Sequence, residues 1–201
     1  MYLNSFSVRI PEGTELDGGY VELVHNTQYK LVLRNNKSVR CDAIVEIDGK
    51  KVGTWRIYAK DSITLERPAH DDGKFTFYEV GTSEAQIVGL RQGDPNLGLV
   101  KVVFTPELAP IITPEMCGEA SETESFEGLG RSAKKSVAGS RHRAGGTGLS
   151  GQSNQKFVTV DAMELDYSQQ TVIYLRLVAK KSRSQPRPLT SFSTPVPPPI
   201  G

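Results

Sequence analysis

The chain has 201 residues, a hydrophobic fraction of 37% and a formal net charge of +1. An apolar share below the roughly 45–50% of ordinary globular domains, a count that also includes Gly, argues against a core that spans the whole chain. Near-neutral charge excludes a global field steering the protein toward nucleic acid or an acidic surface. The two cysteines, Cys41 and Cys117, are too few for a disulfide framework, and a reducing compartment is the plainer expectation.

In chain order, residues 1–27 form an N-terminal segment whose start mixes Asn4, Ser5, Ser7 and Arg9 among apolar residues. That is too polar for the apolar part of a secretory signal. No apolar run approaches the ~18 residues of a membrane span. The expectation is therefore an intracellular protein, free of the membrane. The sequon at Asn36-Lys37-Ser38 reads as an ordinary polar turn.

Residues 28–179 carry a β domain. From Gln28 to Phe104, short apolar runs with a period near two alternate with turn signals, as in an antiparallel sheet. Leu31 and Leu33 give one such face, and Cys41, Ala43, Val45 and Ile47 another. Asp48-Gly49 between two β-type runs predicts a hairpin. A three-residue loop, a type I turn closed by a left-handed glycine, would group Cys41, Ala43 and Val45 with Gly53, Trp55 and Ile57. Strands are expected at 62–66, 74–79 and 99–104. Ser83 followed by Gln86 resembles a capping box, so a short helix is expected within 82–90.

Residues 105–156 show no convincing periodic run and exceed the ~12–15 residues at which a structureless loop becomes unusual. Their charge is segregated: Glu115, Glu119, Glu122, Glu124 and Glu127 precede Arg131, Lys134, Lys135, Arg141 and Arg143. Strand character returns at 157–160 and 171–179. Residues 180–201 hold six of the twelve prolines and read as an extended arm.

Motifs that could carry chemistry are weak. Gly146-Thr147-Gly148-Leu149-Ser150-Gly151 matches the letters of a dinucleotide fingerprint, but that motif requires a strand before it and a helix after it. A flexible or partner-ordered loop is the better reading. His70-Asp71-Asp72 offers metal-ligand types, yet adjacent turn residues seldom converge on one ion, and a solvated turn is preferred. His25, His70 and His142 are scattered among polar neighbours and give no relay with Ser150. No catalytic, cofactor-binding or metal-binding residue is assigned, and no enzyme activity is expected.

The candidate partner contacts are Arg131, Lys134, Lys135, Arg141, Arg143, Lys180, Lys181, Arg183 and Arg187. Nucleic acid is the less favoured partner because these residues lack interleaved aromatics for base stacking. Acidic residues of neighbouring subunits suit them better. A rival reading is a binding module for carbohydrate or peptide, with Tyr58, Tyr78 and Trp55 as its aromatic contacts.

The run from Cys41 through Trp55 to Ile57, followed by Ser62-Ile63-Thr64-Leu65-Glu66-Arg67-Pro68, resembles small β-sandwich proteins of large DNA virus particles. Gly145 to Gly151 with Gln155-Lys156-Phe157 adds to the likeness. The resemblance implies a minor capsid or particle-associated component located in a virion or other large particle. The combined expectation is an all-β protein: one antiparallel β-sandwich or jelly-roll-like domain, one short helix, a long irregular loop and a C-terminal arm. Its function would be structural, exercised through contacts of the loop and arm with other subunits.

Overall fold

A computed structural model describes residues 1–108 and 143–180. The strands, in order, are β1 (Tyr2–Leu3), β2 (Phe6–Arg9), β3 (Thr14–Glu15), β4 (Tyr20–Leu23), β5 (Thr27–Gln28), β6 (Leu31–Asn35) and β7 (Cys41–Ile47). They continue with β8 (Lys50–Ile57), β9 (Ser62–Leu65), β10 (Lys74–Glu79), β11 (Leu99–Pro106), β12 (Arg143–Ser150) and β13 (Thr171–Ala179), with helix α1 (Ser83–Ile87) between β10 and β11.

The smaller sheet has the order β1-β2-β6-β9, and the larger follows β5-β10-β12-β13-β11-β7-β8. β3 pairs with β4, and β4 joins β13 in a parallel ladder. The alternation legible in the sequence becomes the core. Phe6, Val8, Leu31 and Leu33 of the small sheet face Ala43, Val45, Val102, Phe104 and Ile173 of the large one, all buried. Phe6 and Phe104 stack across the interface with ring centroids 4.6 Å apart. The all-β, sandwich-type expectation is met.

The β7–β8 hairpin puts the expected residues inward by a different route. Ile47 pairs directly with Lys50, leaving a two-residue loop in which Asp48 (φ 50°) and Gly49 (φ 75°) are both left-handed. This is the primed turn whose twist suits a hairpin, not the three-residue loop expected. The register shifts between Val45 and Glu46, where Val45 pairs with Gly53 and Glu46 with Lys51, so Val52 is an extra residue. That bulge, not the loop, brings Gly53, Trp55 and Ile57 onto the face of Cys41, Ala43 and Val45. A Cβ on Gly53 would sit 2.4 Å from the Trp55 ring, so the indole requires glycine beneath it.

Three further differences have local causes. Residues 1–27 are part of the sandwich: Phe6, Val8, Ile10, Val21 and Leu23 are buried, and Asn4-Ser5 closes another two-residue hairpin with φ of 47° and 69°. Residues 143–150 inside the expected irregular excursion form strand β12. Residues 157–160 form no strand, although Phe157 packs edge-on against Trp55 at 5.6 Å. The helix falls where expected, but its cap is Thr82, whose hydroxyl accepts from the Ala85 amide at 3.2 Å.

Candidate functional site

A cleft of about 800 Å³ opens at the tip of the β7–β8 hairpin. Four pieces of chain build it: the hairpin (Asp48, Lys50, Lys51), the turn before β10 (His70, Asp71), the segment after α1 (Leu90, Arg91, Asp94), and β12 (Thr147, Gly148, Leu149). Phe75 and Leu97, both buried, with the half-buried Val52 and Leu90, form an apolar floor.

Asp48 anchors this arrangement. Its left-handed backbone turns the carboxylate toward the sheet, where Oδ1 accepts from the Gly98 amide at 2.5 Å and Oδ2 from the Thr147 amide at 2.7 Å. Burial raises its pKa to about 6, outweighing the two amide donors that favour the anion. Thr147 is fixed from the other side by Tyr29, whose hydroxyl lies 2.7 Å from Thr147 Oγ1. Burial pushes the Tyr29 phenol far above its ordinary value, so it is a neutral hydrogen-bonding group.

The glycines of the fingerprint-like stretch have a packing reason. A Cβ on Gly145 would fall 2.1 Å from the Phe77 ring, and one on Gly148 would fall 2.7 Å from the Tyr78 ring. On Gly146 it would lie 2.7 Å from Leu97. The motif is a strand whose bare backbone lets aromatic and leucine side chains lie flat upon it. It neither follows a strand nor opens a helix, so the phosphate-cradle geometry is missing.

The cleft's charges are unevenly engaged. Asp71 Oδ1 accepts from the Gly73 amide at 2.7 Å and Asp94 Oδ1 from the Asn96 amide at 2.8 Å, so these two carboxylates are tied into their own turns, whereas Asp48 reaches across to other elements. Among the described residues, Lys50, Lys51 and Arg91 form no ion pair, and all three are exposed at the rim.

The candidate contacts divide. Arg143 opens β12, is exposed, and places Nη1 2.8 Å from Glu79 Oε1. Lys180 follows β13 directly, its amide donating to the Leu23 carbonyl at 2.8 Å. Arg143 pairs with Ala179, so these two positions are neighbours. Arg131, Lys134, Lys135, Arg141, Lys181, Arg183 and Arg187 lie outside the described residues, as do Cys117, His142 and the five glutamates of the acidic block.

Of the two described histidines, His25 serves structure. His25 Nδ1 accepts from the Glu79 amide at 3.1 Å, and Nε2 lies 3.8 Å from Glu84. His70 stands on the cleft rim. Among the described residues no group of three or more His, Cys, Asp or Glu side chains is placed to hold a metal ion. No helix among them is long and apolar enough to cross a membrane.

Of the aromatic contacts expected of a sugar or peptide binder, Trp55 and Tyr78 are buried and Tyr58 alone is exposed. Arg67 accounts for part of this. Its guanidinium donates to the Gln155 carbonyl from Nη2 at 2.6 Å and lies 4.5 Å from the Phe157 ring centroid, holding residues 155–157 over Trp55. Sequence reasoning missed the cleft itself, because Asp48, Arg91 and Thr147 meet only through the sheet order. Comparison with family models, curated proteins and solved structures finds no match to this chain.

Proposed function

We propose that this protein is a non-enzymatic structural component of a larger particle, such as a minor capsid protein, and that it contacts neighbouring subunits through residues 105–156 and 180–201. The observation supporting this reading is the polarity of the sandwich. The chain leaves β11 past Pro106 at the end where Phe104 pairs with Thr171, and it re-enters at Arg143 beside Ala179, at the opposite end. The acidic block of the sequence follows the first exit. The basic block and the basic start of the C-terminal residues converge on the second. One end of the molecule thus leads to acidic sequence and the other to basic sequence, which is the charge arrangement of units that meet end to end.

A zero-length carbodiimide cross-linking experiment on a mixture of light- and heavy-isotope copies tests the proposal. Expected are mixed-isotope links joining the glutamates at 115–127 to lysines of the other end: Lys50, Lys51, Lys134, Lys135, Lys180 or Lys181. Links confined to single copies, or none at assembly concentrations, would overturn it.

A further inference from the structure

We propose that the cleft at the β7–β8 hairpin tip is the docking site for residues 119–129 of a neighbouring copy. The inference rests on the assembly reading above and names its contact. The first support is chemical complementarity. The cleft has an apolar floor of Val52, Phe75, Leu90 and Leu97 under a rim carrying Lys50, Lys51 and Arg91. Of its own carboxylates, Asp48 accepts from the Gly98 and Thr147 amides, Asp71 from the Gly73 amide and Asp94 from the Asn96 amide. An occupant therefore needs anionic groups for the rim and apolar side chains for the floor. Residues 119–129 read Glu-Ala-Ser-Glu-Thr-Glu-Ser-Phe-Glu-Gly-Leu: four glutamates with Phe126 and Leu129 among them.

The second support is polarity. The hairpin tip and Leu97 lie at the end of the large sheet where Leu99 pairs with Arg176. The acidic stretch follows Leu108, at the far end of β11, a strand of eight residues spanning about 25 Å. A tract of one copy seated in the cleft of the next makes a head-to-tail contact, which closes into a ring or propagates as a chain of subunits.

Two full-length variants and one probe test this. The tract variant carries Glu119→Gln, Glu122→Gln, Glu124→Gln and Phe126→Ser. The cleft variant carries Lys50→Glu, Lys51→Glu and Arg91→Glu, all at exposed rim positions. The probe is a fluorescent synthetic peptide of residues 119–129. Expected is saturable binding of the peptide to the tract variant, weakening with salt. Combining the cleft substitutions with the tract substitutions should lower affinity at least about tenfold, whereas adding Lys60→Glu in their place should not. By light scattering, wild type should gain mass with concentration, each variant alone should remain monomeric, and an equimolar mixture of the two should stop at the dimer. Equal peptide affinity with and without the rim lysines and arginine overturns the proposal. Peptide binding with a wild type that stays monomeric throughout overturns the neighbouring copy as source, because the tract then occupies its own cleft. Undiminished multimers of the cleft variant overturn the docking site while leaving the assembly reading intact.

Discussion

Asp48 Oδ2 accepts a hydrogen bond from the Thr147 amide at 2.7 Å, joining positions 99 residues apart in the chain. The same carboxylate accepts from Gly98, so a single turn residue ties the β7–β8 hairpin, the start of β11 and the glycine strand β12 into one corner. Asp48→Ala removes the acceptor for two inward-facing amides and places alanine at a φ of 50°. The expected loss is about 2–4 kcal/mol of unfolding free energy, read from the urea midpoint at constant m-value. A midpoint unchanged from wild type would show that the corner is held by other contacts.

The same residue sets a pH dependence. Its folded pKa of about 6 lies above the ordinary value of 3.8, so the folded protein binds more protons than the unfolded chain between those values. The contribution of Asp48 is therefore fully present below about pH 4 and is lost as pH rises through 6, amounting to at most about 3 kcal/mol. Unfolding free energies of wild type and Asp48→Asn, measured from pH 4 to 7, should change relative to each other across this window, with wild type losing ground as pH rises. Parallel curves would contradict the assignment.

Glycine substitutions on β12 distinguish packing from ligand binding. Gly145→Ala and Gly148→Ala drive a methyl group into the Phe77 and Tyr78 rings, at an expected cost of about 1–3 kcal/mol each. Thermal unfolding checks the effect. Truncating Tyr78 should relieve Gly148→Ala in a double-mutant cycle, because the clash is with that ring.

Trp55 reports on the clamp formed by Arg67. In wild type the indole is 8% exposed, and its emission should be blue-shifted. Arg67→Ala removes the guanidinium that holds Gln155 and Phe157 over it. A red shift in emission and faster amide exchange at residues 153–157 are expected, with the β7–β8 amides unchanged.

Cys41 is fully buried, and burial raises its thiol pKa to about 12. A Cys117→Ser variant should therefore not react with a thiol reagent until it is unfolded. Native-state labelling at the rate of free cysteine would mean that β7 opens readily.

Much of the sandwich was legible because period-two alternation is a direct record of burial. Lys74–Glu79 begins and ends where its pattern does, and the inward set from Cys41 to Ile57 was identified despite the wrong loop. The loop and the bulge are degenerate at the level of faces: either device advances the register by one residue, and only backbone angles separate them. β12 was hidden because its inward positions are glycines, and the apolar groups covering them belong to β10 and the segment after α1. The strands of residues 1–27 were obscured by their shortness and by the polar hairpin at Asn4-Ser5. The cleft was illegible for a different reason. Lys51, Arg91 and Thr147 share no spacing, and their meeting depends on the order β10-β12-β13-β11-β7, which no local pattern encodes.

That strand order has a consequence for how the molecule comes into being. Among the described residues β13 is the last strand, yet it lies in the middle of the large sheet, bonded to β11, β12 and β4. During synthesis the β7–β8–β11 ribbon must wait with a bare hydrogen-bonding edge until residues 171–179 leave the ribosome. The first and last portions of the described chain then join in a single late event, with the slow kinetics expected of such distant pairings. A chain interrupted anywhere before Thr171 lacks the strand that makes its halves one sheet.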